Sequence, residues 1–289
     1  MKIFDRQGNS VVYDQSQNQL LKRLYGNVVG RCILKVLTLP FVTHIGGKYM
    51  NSSLSKRKIS SFVQKNHIDL HQYEKVDYKS YNEFFTRKIL PEYRPIDKEE
   101  THLIAPADSK VSYYPITSKT ILTIKDTRYT VEELLQSETL AKQYQKGVCL
   151  IFRLTVDDYH RYSFIDEGTK GKDVYIPGVF HTVNPIANDY YPIYKQNSRS
   201  YSLLHTEHFG DVIYMEVGAM MVGKICNHSM SSYQKGDEKG YFEFGGSTIV
   251  VLLKKDQVII DQDIIENSKK YCETKVLMGE KIGVKKHSL

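Results

Sequence analysis

Several features are missing from this sequence, and each absence excludes a class of protein. There is no tryptophan, and the four cysteines, Cys32, Cys149, Cys226 and Cys272, are scattered without a CxxC pair. This spacing predicts neither a zinc ribbon nor a disulfide framework, and it fits a reducing compartment. No fixed-period repeat or low-complexity tract is present, which excludes the repeat architectures.

A long hydrophobic run is also missing. The longest uncharged early run, VLTLPFVTHIGG between Lys35 and Lys48, is interrupted by a proline. It is too short to cross a bilayer, which requires about 20 apolar residues. The polar start MKIFDRQGNS lacks the apolar core of a secretory signal. We therefore expect a protein of the cytosolic side whose contact with membranes, if any, is peripheral.

The composition is that of a globular protein with a basic bias. Charged residues make up 25% and hydrophobic residues 41% of the 289 residues. Forty Lys and Arg against 33 Asp and Glu leave a formal charge of +7, which favours an acidic partner such as nucleic acid or an anionic membrane. The 22 tyrosines are spread along the chain without a nucleic-acid motif, so we do not predict nucleic-acid binding.

Helical patterns concentrate toward the N-terminus. Residues 17–39 combine leucines with basic residues and predict a helix that ends near Pro40. This helix is either a basic amphipathic helix on anionic lipid or an ordinary core-facing helix. Two further short helices are predicted within 55–66 and 77–89.

The pattern then changes from helix to strand. Thr130 and Glu133 form a capping-box pattern that predicts one helix over 131–145. Beyond it, apolar segments separated by Gly, Pro, Asn and Asp predict strands within 148–156, 173–179, 211–223, 248–253 and 257–260. The expected fold class is α+β, with N-terminal helices followed by a β-rich domain of antiparallel or mixed sheets.

The segment GGST precedes one of these strands. Gly245 and Gly246 can adopt backbone angles closed to other residues, and the missing Cβ of Gly246 lets a hydroxyl such as that of Ser247 approach its carbonyl carbon. An intramolecular acyl shift needs that approach. Taken alone, however, this sequence is more typical of a turn that leads into a strand.

Serine is a weak nucleophile without a base, and an effective base is a histidine oriented by a carboxylate. The sequence offers His160 just after an apolar strand, flanked by Asp157 and Asp158, and it offers Asp108 in a proline-containing loop. Each residue in isolation is more simply a structural histidine or a turn aspartate.

The ordered set of motifs, however, resembles the phosphatidylserine decarboxylase family from about Tyr81 to the C-terminus. The matching segments are YNEFFTRKI, RPID, APADSKV, DDYHRY, HTVNP, VGAMMVGKI, KGDEKGYFEFGGST and ETKVLMGEKIGV. The resemblance implies a catalytic domain over 81–289 that cleaves itself with a triad of Asp108, His160 and Ser247.

The resemblance also implies the cofactor and the reaction. Cleavage between Gly246 and Ser247 would give a β chain, 1–246, and an α chain, 247–289, that remain together. Ser247 would become a covalent pyruvoyl group, which forms a Schiff base with phosphatidylserine and accepts electrons as CO2 leaves, without pyridoxal phosphate or a metal. His160 is the candidate that then protonates the carbanion.

The family further implies partners and a location. We expect peripheral binding to the cytoplasmic side of the cell membrane, with residues 1–80 as a helical, membrane-associating region, and a possible homodimer.

Two positions depart from the family pattern. Ser163 stands where many members have a second histidine, so either His160 performs both proton transfers or another residue, with His181 the nearest motif histidine, takes one of them; we expect His160 to perform both. Ser109 stands where a glycine is common.

Two other functions remain open from the residues themselves: a pyruvoyl decarboxylase of a soluble amino acid, and a non-catalytic β-rich binding protein in which GGST is only a turn. The histidine pairs His67 with His71 and His205 with His208 could each share a helix face and hold a metal. No carboxylate or cysteine cluster completes either site, so no metal is predicted.

Overall fold

A computed structural model of the protein describes residues 2–11, 26–27, 30, 40–124, 127–178, 197–218, 224–244 and 247–286. The helix predicted over 17–39 lies almost entirely outside these residues, as do Gly245, Gly246 and His181. The prediction for that helix therefore remains a prediction.

The helices of the described residues are short. They are α1 Pro40–Met50, α2 Lys58–Lys65, α3 Tyr81–Phe85, α4 Val131–Leu135, α5 Glu138–Lys142 and α6 Gln262–Lys269, with 3-10 turns at Ser53–Arg57, Leu70–Gln72 and Pro91–Tyr93. The helices predicted within 55–66 and 77–89 are confirmed as α2 and α3. None of the helices in the described ranges has the length and apolar composition that a bilayer crossing requires.

The capping box is confirmed, but the single helix predicted over 131–145 is wrong. The Thr130 hydroxyl accepts from the Glu133 N–H, and the Glu133 carboxylate accepts from the Thr130 N–H. The helix nevertheless ends at Gln136, whose φ of 51° is left-handed. The Ser137 hydroxyl then accepts from the N–H of Leu140 and begins a second helix, α5. A second N-cap inside the segment divides it.

Most of the described chain beyond residue 100 is extended. The strands are β1 Ile3–Phe4, β2 His102–Ile104, β3 Ser109–Pro115, β4 Ile121–Ile124, β5 Thr127–Thr130, β6 Val148–Leu154, β7 Arg161–Ser163, β8 Gly168–Lys170, β9 Val174–Ile176, β10 Arg199–Thr206, β11 Gly210–Gly218, β12 Ile225–Asn227, β13 Ser232–Tyr233, β14 Glu238–Phe242, β15 Ser247–Leu253, β16 Val258–Ile260, β17 Glu273–Val276 and β18 Lys281–Lys285. The five predicted strands are confirmed as β6, β9, β11, β15 and β16, and the fold class is α+β.

One large sheet organises the molecule. Its order over the described strands is β1-β17-β3-β6-β15-β11-β10-β8-β13, with β9 beside β10. The β1–β17 pair is parallel, and the other pairs are antiparallel. Smaller sheets have the orders β12-β14-β7, β16-β18-β2 and β4-β5.

Both faces of the large sheet are covered, as its central strand β15 shows. Ile249 and Val251 pack in one buried apolar cluster, while Val250 and Leu252 pack in another. Alternate side chains of a strand point to opposite faces, so a continuous apolar run fits a strand buried on both sides. Each such side chain stabilises the fold by about 1.5–3 kcal/mol, which fixes the register of β15 firmly.

The small sheet β12-β14-β7 is joined to the large sheet by a buried ion pair. Lys239 of β14 and Glu216 of β11 contact each other with both side chains fully buried. Burial raises the pKa of Glu216, and the Lys239 ammonium opposes that rise. Since β7 directly follows His160 and β14 leads toward Ser247, this pair holds the segments next to both residues against one sheet.

Candidate active site

The three predicted catalytic residues come to the same end of the large sheet. Because β6 is antiparallel to both of its neighbours, its last residues lie opposite the first residues of β3 and β15. Ser247 pairs with Leu154, and Lys110 pairs with Arg153. Asp108 directly precedes β3, and His160 lies in the loop that follows β6. Topology thus gathers side chains that are far apart in sequence.

Ser247 is the first residue of β15 and is completely buried. On its other side it pairs with Gly218, the last residue of β11. Its hydroxyl has no hydrogen-bond partner within the described part of the protein. A buried hydroxyl left without a partner costs about 1–3 kcal/mol. The position therefore carries a polar group that folding alone does not favour.

His160 is equally buried, and its ring has a defined orientation. Its Nδ1 lies 2.8 Å from the carbonyl oxygen of Asp158. A carbonyl only accepts, so Nδ1 carries the proton and Nε2 keeps its lone pair. Nε2 has no partner among the described residues. Burial lowers the pKa of His160 from 6.5 to about 4, so its imidazole is neutral at pH 7 and able to accept a proton.

The loop that carries His160 is itself held by a buried ion pair. The Asp158 carboxylate accepts from Lys110 Nζ at 2.6 and 2.7 Å and from the Thr155 backbone N–H at 2.6 Å. Lys110 and Asp158 are both almost fully buried. Their contact fixes the turn from Thr155 to Asp158, and it therefore fixes the carbonyl that orients the imidazole.

Asp108 is buried, but its carboxylate is bound by other groups. Arg94 Nε lies 2.7 Å from Oδ1 and 3.0 Å from Oδ2, and the Met278 backbone N–H donates to Oδ1 at 2.9 Å. Neither ring nitrogen of His160 bonds Asp108 in this structure. The structure thus brings Asp108 to the same sheet end without making it the hydrogen-bond acceptor of His160, and its relay role stays a prediction.

Helix α3 covers the site. The Phe85 and His160 ring centroids are 4.1 Å apart, and those of Phe85 and Phe244 are 5.2 Å apart. Asn82 Oδ1 accepts from the backbone N–H of Phe244 at 2.8 Å, and Phe242 donates its backbone N–H to the His160 carbonyl at 2.9 Å. The chain that approaches the predicted cleavage site is therefore held beside the histidine, in water-excluding surroundings.

A buried cation lies on the turn after α3. Arg87 is 2% exposed, and its Nε has no hydrogen-bond partner in the described residues. Its guanidinium carbon lies 4.3 Å from the ring centroid of Tyr73 and 4.8 Å from that of Phe84. Such ring contacts contribute about 2 kcal/mol when desolvated, whereas burying an ion costs several kcal/mol. The aromatic rings offset the burial of Arg87 only in part.

The two departures from the family pattern have structural roles. Ser163 is buried and donates its N–H to the Pro106 carbonyl at 2.8 Å, which connects β7 to the loop before Asp108. The Ser109 hydroxyl donates to the carbonyl of Ala107 at 3.0 Å and supports the same loop. His181 lies outside the described residues.

The histidine pairs do not form shared sites in the described chain. His67 follows α2 with a φ of 51°, and His71 lies in a separate 3-10 turn. His205 Nδ1 pairs with Asp211 at 2.7 Å, while His208 Nδ1 pairs with the buried Asp166 at 2.9 Å. No group of three or more His, Cys, Asp or Glu side chains converges as a metal site among the residues that the structure describes.

Arg87 and Lys110 are two residues of the site that were not predicted from the sequence. Lys110 contacts Asp158, which is 48 residues away in the sequence. The burial of Arg87 depends on the folded arrangement around it, which no local pattern shows. The role of Asp158 left a weak local signal, because a Thr-x-x-Asp spacing allows the carboxylate to bond back to the backbone of the threonine. That signal identifies a turn but not the histidine that the turn orients.

Known proteins are similar to this chain over most of its length. The profile of the phosphatidylserine decarboxylase family matches residues 81–284. Phosphatidylserine decarboxylase proenzyme 2 of Clostridium acetobutylicum is 49% identical over 283 residues, covering 97% of each chain. The phosphatidylserine decarboxylase proenzyme of Clostridium novyi is 42% identical over 295 residues, with 99% of each chain covered. That of Clostridium tetani is 41% identical over 292 residues, covering 99% of this chain and 98% of its own.

A buried serine and a neutral histidine at one sheet end define a candidate centre for acyl chemistry. The chain belongs to the phosphatidylserine decarboxylase family, and it is a carboxy-lyase.

Proposed function

We propose that this protein cleaves its own chain between Gly246 and Ser247, and that it then decarboxylates phosphatidylserine to phosphatidylethanolamine and CO2 at an anionic membrane surface. The observation that carries the proposal is the burial, at one end of the sheet, of a serine hydroxyl and a histidine Nε2 that both lack hydrogen-bond partners among the described residues. The relatives are phosphatidylserine decarboxylase proenzymes, which supports the cleavage and the lipid substrate.

His160 acts as the base in the cleavage. Its neutral Nε2 takes the proton of the Ser247 hydroxyl, and the oxygen attacks the Gly246 carbonyl carbon, so that the peptide becomes an ester. Loss of the α-proton of residue 247 then expels the Gly246 carboxylate and leaves dehydroalanine. Water adds and ammonia leaves, which produces the pyruvoyl terminus. Asp108 is the third member of the set, assigned from its place in the family motif.

Burial alone does not select Ser247. Ser202 on β10 is also fully buried with a hydroxyl that has no partner in the described chain. Ser202 pairs with Tyr214 in the middle of the sheet, whereas Ser247 lies at the strand end beside the histidine loop. Ser202→Ala is therefore a matched control for Ser247→Ala.

The buried position suits the cofactor. A pyruvoyl group has no hydroxyl, so its formation removes the unpartnered donor of Ser247. When formed, the group supplies a carbonyl that condenses with the substrate amine and accepts electrons as CO2 leaves. The protein contributes the dry surroundings of Phe85 and a neutral imidazole at His160 that is within the same site. We assign to His160 the later proton transfer as well.

An exposed surface on the N-terminal helices supports membrane binding. We name it the α1 patch: the apolar side chains Ile45, Tyr49 and Leu54 are 51%, 40% and 62% exposed, with the exposed cations Lys48, Lys56, Arg57 and Lys58 around them. Apolar side chains with basic neighbours bind anionic membrane surfaces, where each cation contributes about 1 kcal/mol.

The function is tested by CO2 release from vesicles that contain phosphatidylserine. We expect CO2 from wild type and from Ser202→Ala, none from Ser247→Ala, and loss of activity after treatment with a carbonyl reagent. Release of CO2 by uncleaved Ser247→Ala would contradict the pyruvoyl chemistry. Release from free serine but not from the lipid would favour the soluble-substrate alternative.

Membrane binding is tested separately by vesicle sedimentation. Reversal of Lys48, Lys56, Arg57 and Lys58 to Glu should weaken binding to anionic vesicles by at least about tenfold, since four attractive charges become repulsive. The matched control is Lys269→Glu with Lys270→Glu, a pair of exposed cations on α6 and its C-cap. Equal loss in both variants would remove the α1 patch as the membrane surface.

A further inference from the structure

Arg87 is a buried cation for which the described chain supplies no anion. No carboxylate in the part of the chain that the structure describes lies within ion-pair distance of it, unlike Arg94 with Asp108 or Arg153 with Glu273. Its hydrogen bonds are long: 3.3 Å to the Tyr73 hydroxyl and 3.5 Å to the Phe84 carbonyl. A guanidinium stays charged in proteins, so Arg87 retains both its charge and unused donor capacity inside the fold.

Arg87 also lies beside the candidate active site. It is two residues from Phe85, whose ring contacts His160, and the intervening Thr86 carbonyl accepts from Arg161 Nε at 2.8 Å. The electrostatics agree with this placement. Burial is the main cause of the lowered pKa of His160, and the positive charge of Arg87 adds to the lowering.

We infer that Arg87 binds the phosphodiester of the substrate headgroup beside the His160 imidazole. This inference rests on the proposed function. Arginine presents several N–H donors in a planar fork that fits phosphate oxygens, and its donors are most effective where water is excluded. The substrate would supply the anion that the described residues do not.

The headgroup has two anionic groups, and the chemistry favours one of them. The carboxylate loses its charge as CO2 leaves, so a cation bound to it would stabilise the ground state more than the transition state and slow the reaction. The phosphodiester keeps its charge from substrate to product. A cation bound there holds the substrate equally in both states and orients it, which is a positioning role.

The test uses the self-cleaved enzyme with phosphatidylserine in nonionic detergent micelles. The variants are Arg87→Met, Arg87→Lys and, as control, Lys88→Met, which removes the adjacent but exposed cation. Self-cleavage on a gel shows first that each variant has folded. We expect Arg87→Met to raise KM by about 10- to 100-fold with little change in kcat, Arg87→Lys to recover part of the loss, and Lys88→Met to match wild type.

The product phosphatidylethanolamine distinguishes the two anionic groups, because it keeps the phosphodiester and lacks the carboxylate. If Arg87 binds the phosphodiester, Arg87→Met raises the inhibition constant of this product by the same factor as KM. An unchanged inhibition constant with a raised KM would assign Arg87 to the carboxylate and overturn the inference, as would an unchanged KM.

Two further results have defined meanings. If Arg87→Met does not self-cleave, Arg87→Lys carries the test, and a wild-type KM in that variant would overturn the inference. If wild type itself neither self-cleaves nor releases CO2, the proposed function fails before Arg87 is tested.

Discussion

Two groups of buried polar side chains lie at the same end of the large sheet and differ in whether they have hydrogen-bond partners. In one group, Asp158 is bound by Lys110 and Thr155, and Asp108 is bound by Arg94 and Met278. In the other group, the Ser247 hydroxyl and His160 Nε2 have no partners among the described residues.

This difference distinguishes residues that hold the fold from residues that are candidates for the reaction. Removing one member of a buried ion pair costs about 3–5 kcal/mol, so each member of the first group contributes to the stability of the fold. An unpartnered hydroxyl and ring nitrogen instead cost about 1–3 kcal/mol each, which stability does not select for. The satisfied group positions the unsatisfied one, because Lys110 holds the turn whose carbonyl orients His160.

The largest expected effect comes from His160. His160→Gln keeps a polar side chain of similar size but removes the base, so self-cleavage should slow by at least about 10³-fold. The rate is measured on freshly synthesised chain by gel electrophoresis. His208→Gln is the control, since His208 also pairs with a buried aspartate but lies away from Ser247. A wild-type rate in His160→Gln would mean that an unpartnered Nε2 does not mark the base.

A smaller effect on the self-cleavage rate is expected from substitution of Asp108. It tests whether a residue with full hydrogen-bond partners also takes part in the chemistry. Asp108→Asn removes the negative charge that would stabilise a protonated His160, and self-cleavage should slow by at least about 10-fold. Urea unfolding of the same variant measures the lost ion pair with Arg94 independently. If stability falls and the cleavage rate does not, Asp108 belongs to the scaffold alone, and the Asp158 carbonyl is the group that orients His160.

The smallest expected effect is the pH dependence of the self-cleavage rate. The folded-state pKa of His160 is depressed to about 4 by burial, so the imidazole stays neutral and available as a base until pH falls toward that value. Between pH 8 and 5.5 the self-cleavage rate should change less than about twofold. An unshifted histidine would lose about nine-tenths of its neutral form at pH 5.5. A tenfold loss there would show that His160 is accessible to water.

The sequence was informative where the signal is local. Apolar runs predicted β6, β11 and β15, and the resemblance carried by the ordered motifs supplied the candidate triad, whose roles stay predictions. The capping box at Thr130 was visible because both partners are three residues apart. The same segment shows the limit, since the left-handed Gln136 and the cap at Ser137 divide a helix that periodicity extends unbroken.

The remaining features depend on contacts across the fold. No local pattern indicates that Arg87 is buried without an anion from the described residues, because its surroundings come from Tyr73, Phe84 and the neighbourhood of His160. The contacts of Asp108 were likewise not predictable, since Arg94 and Met278 are 14 and 170 residues away. The identities of the residues supplied the candidate site residues, whereas the topology of the fold determined which of them have hydrogen-bond partners.

The most direct test of the central claim is intact mass spectrometry of wild type beside Ser247→Ala and Ser202→Ala. The account predicts that wild type and Ser202→Ala split after Gly246, and that the fragment beginning at residue 247 is lighter than a seryl terminus by one ammonia. Ser247→Ala should remain whole at close to 33.5 kDa. An active wild-type chain that stays intact at that mass would contradict self-cleavage at Ser247.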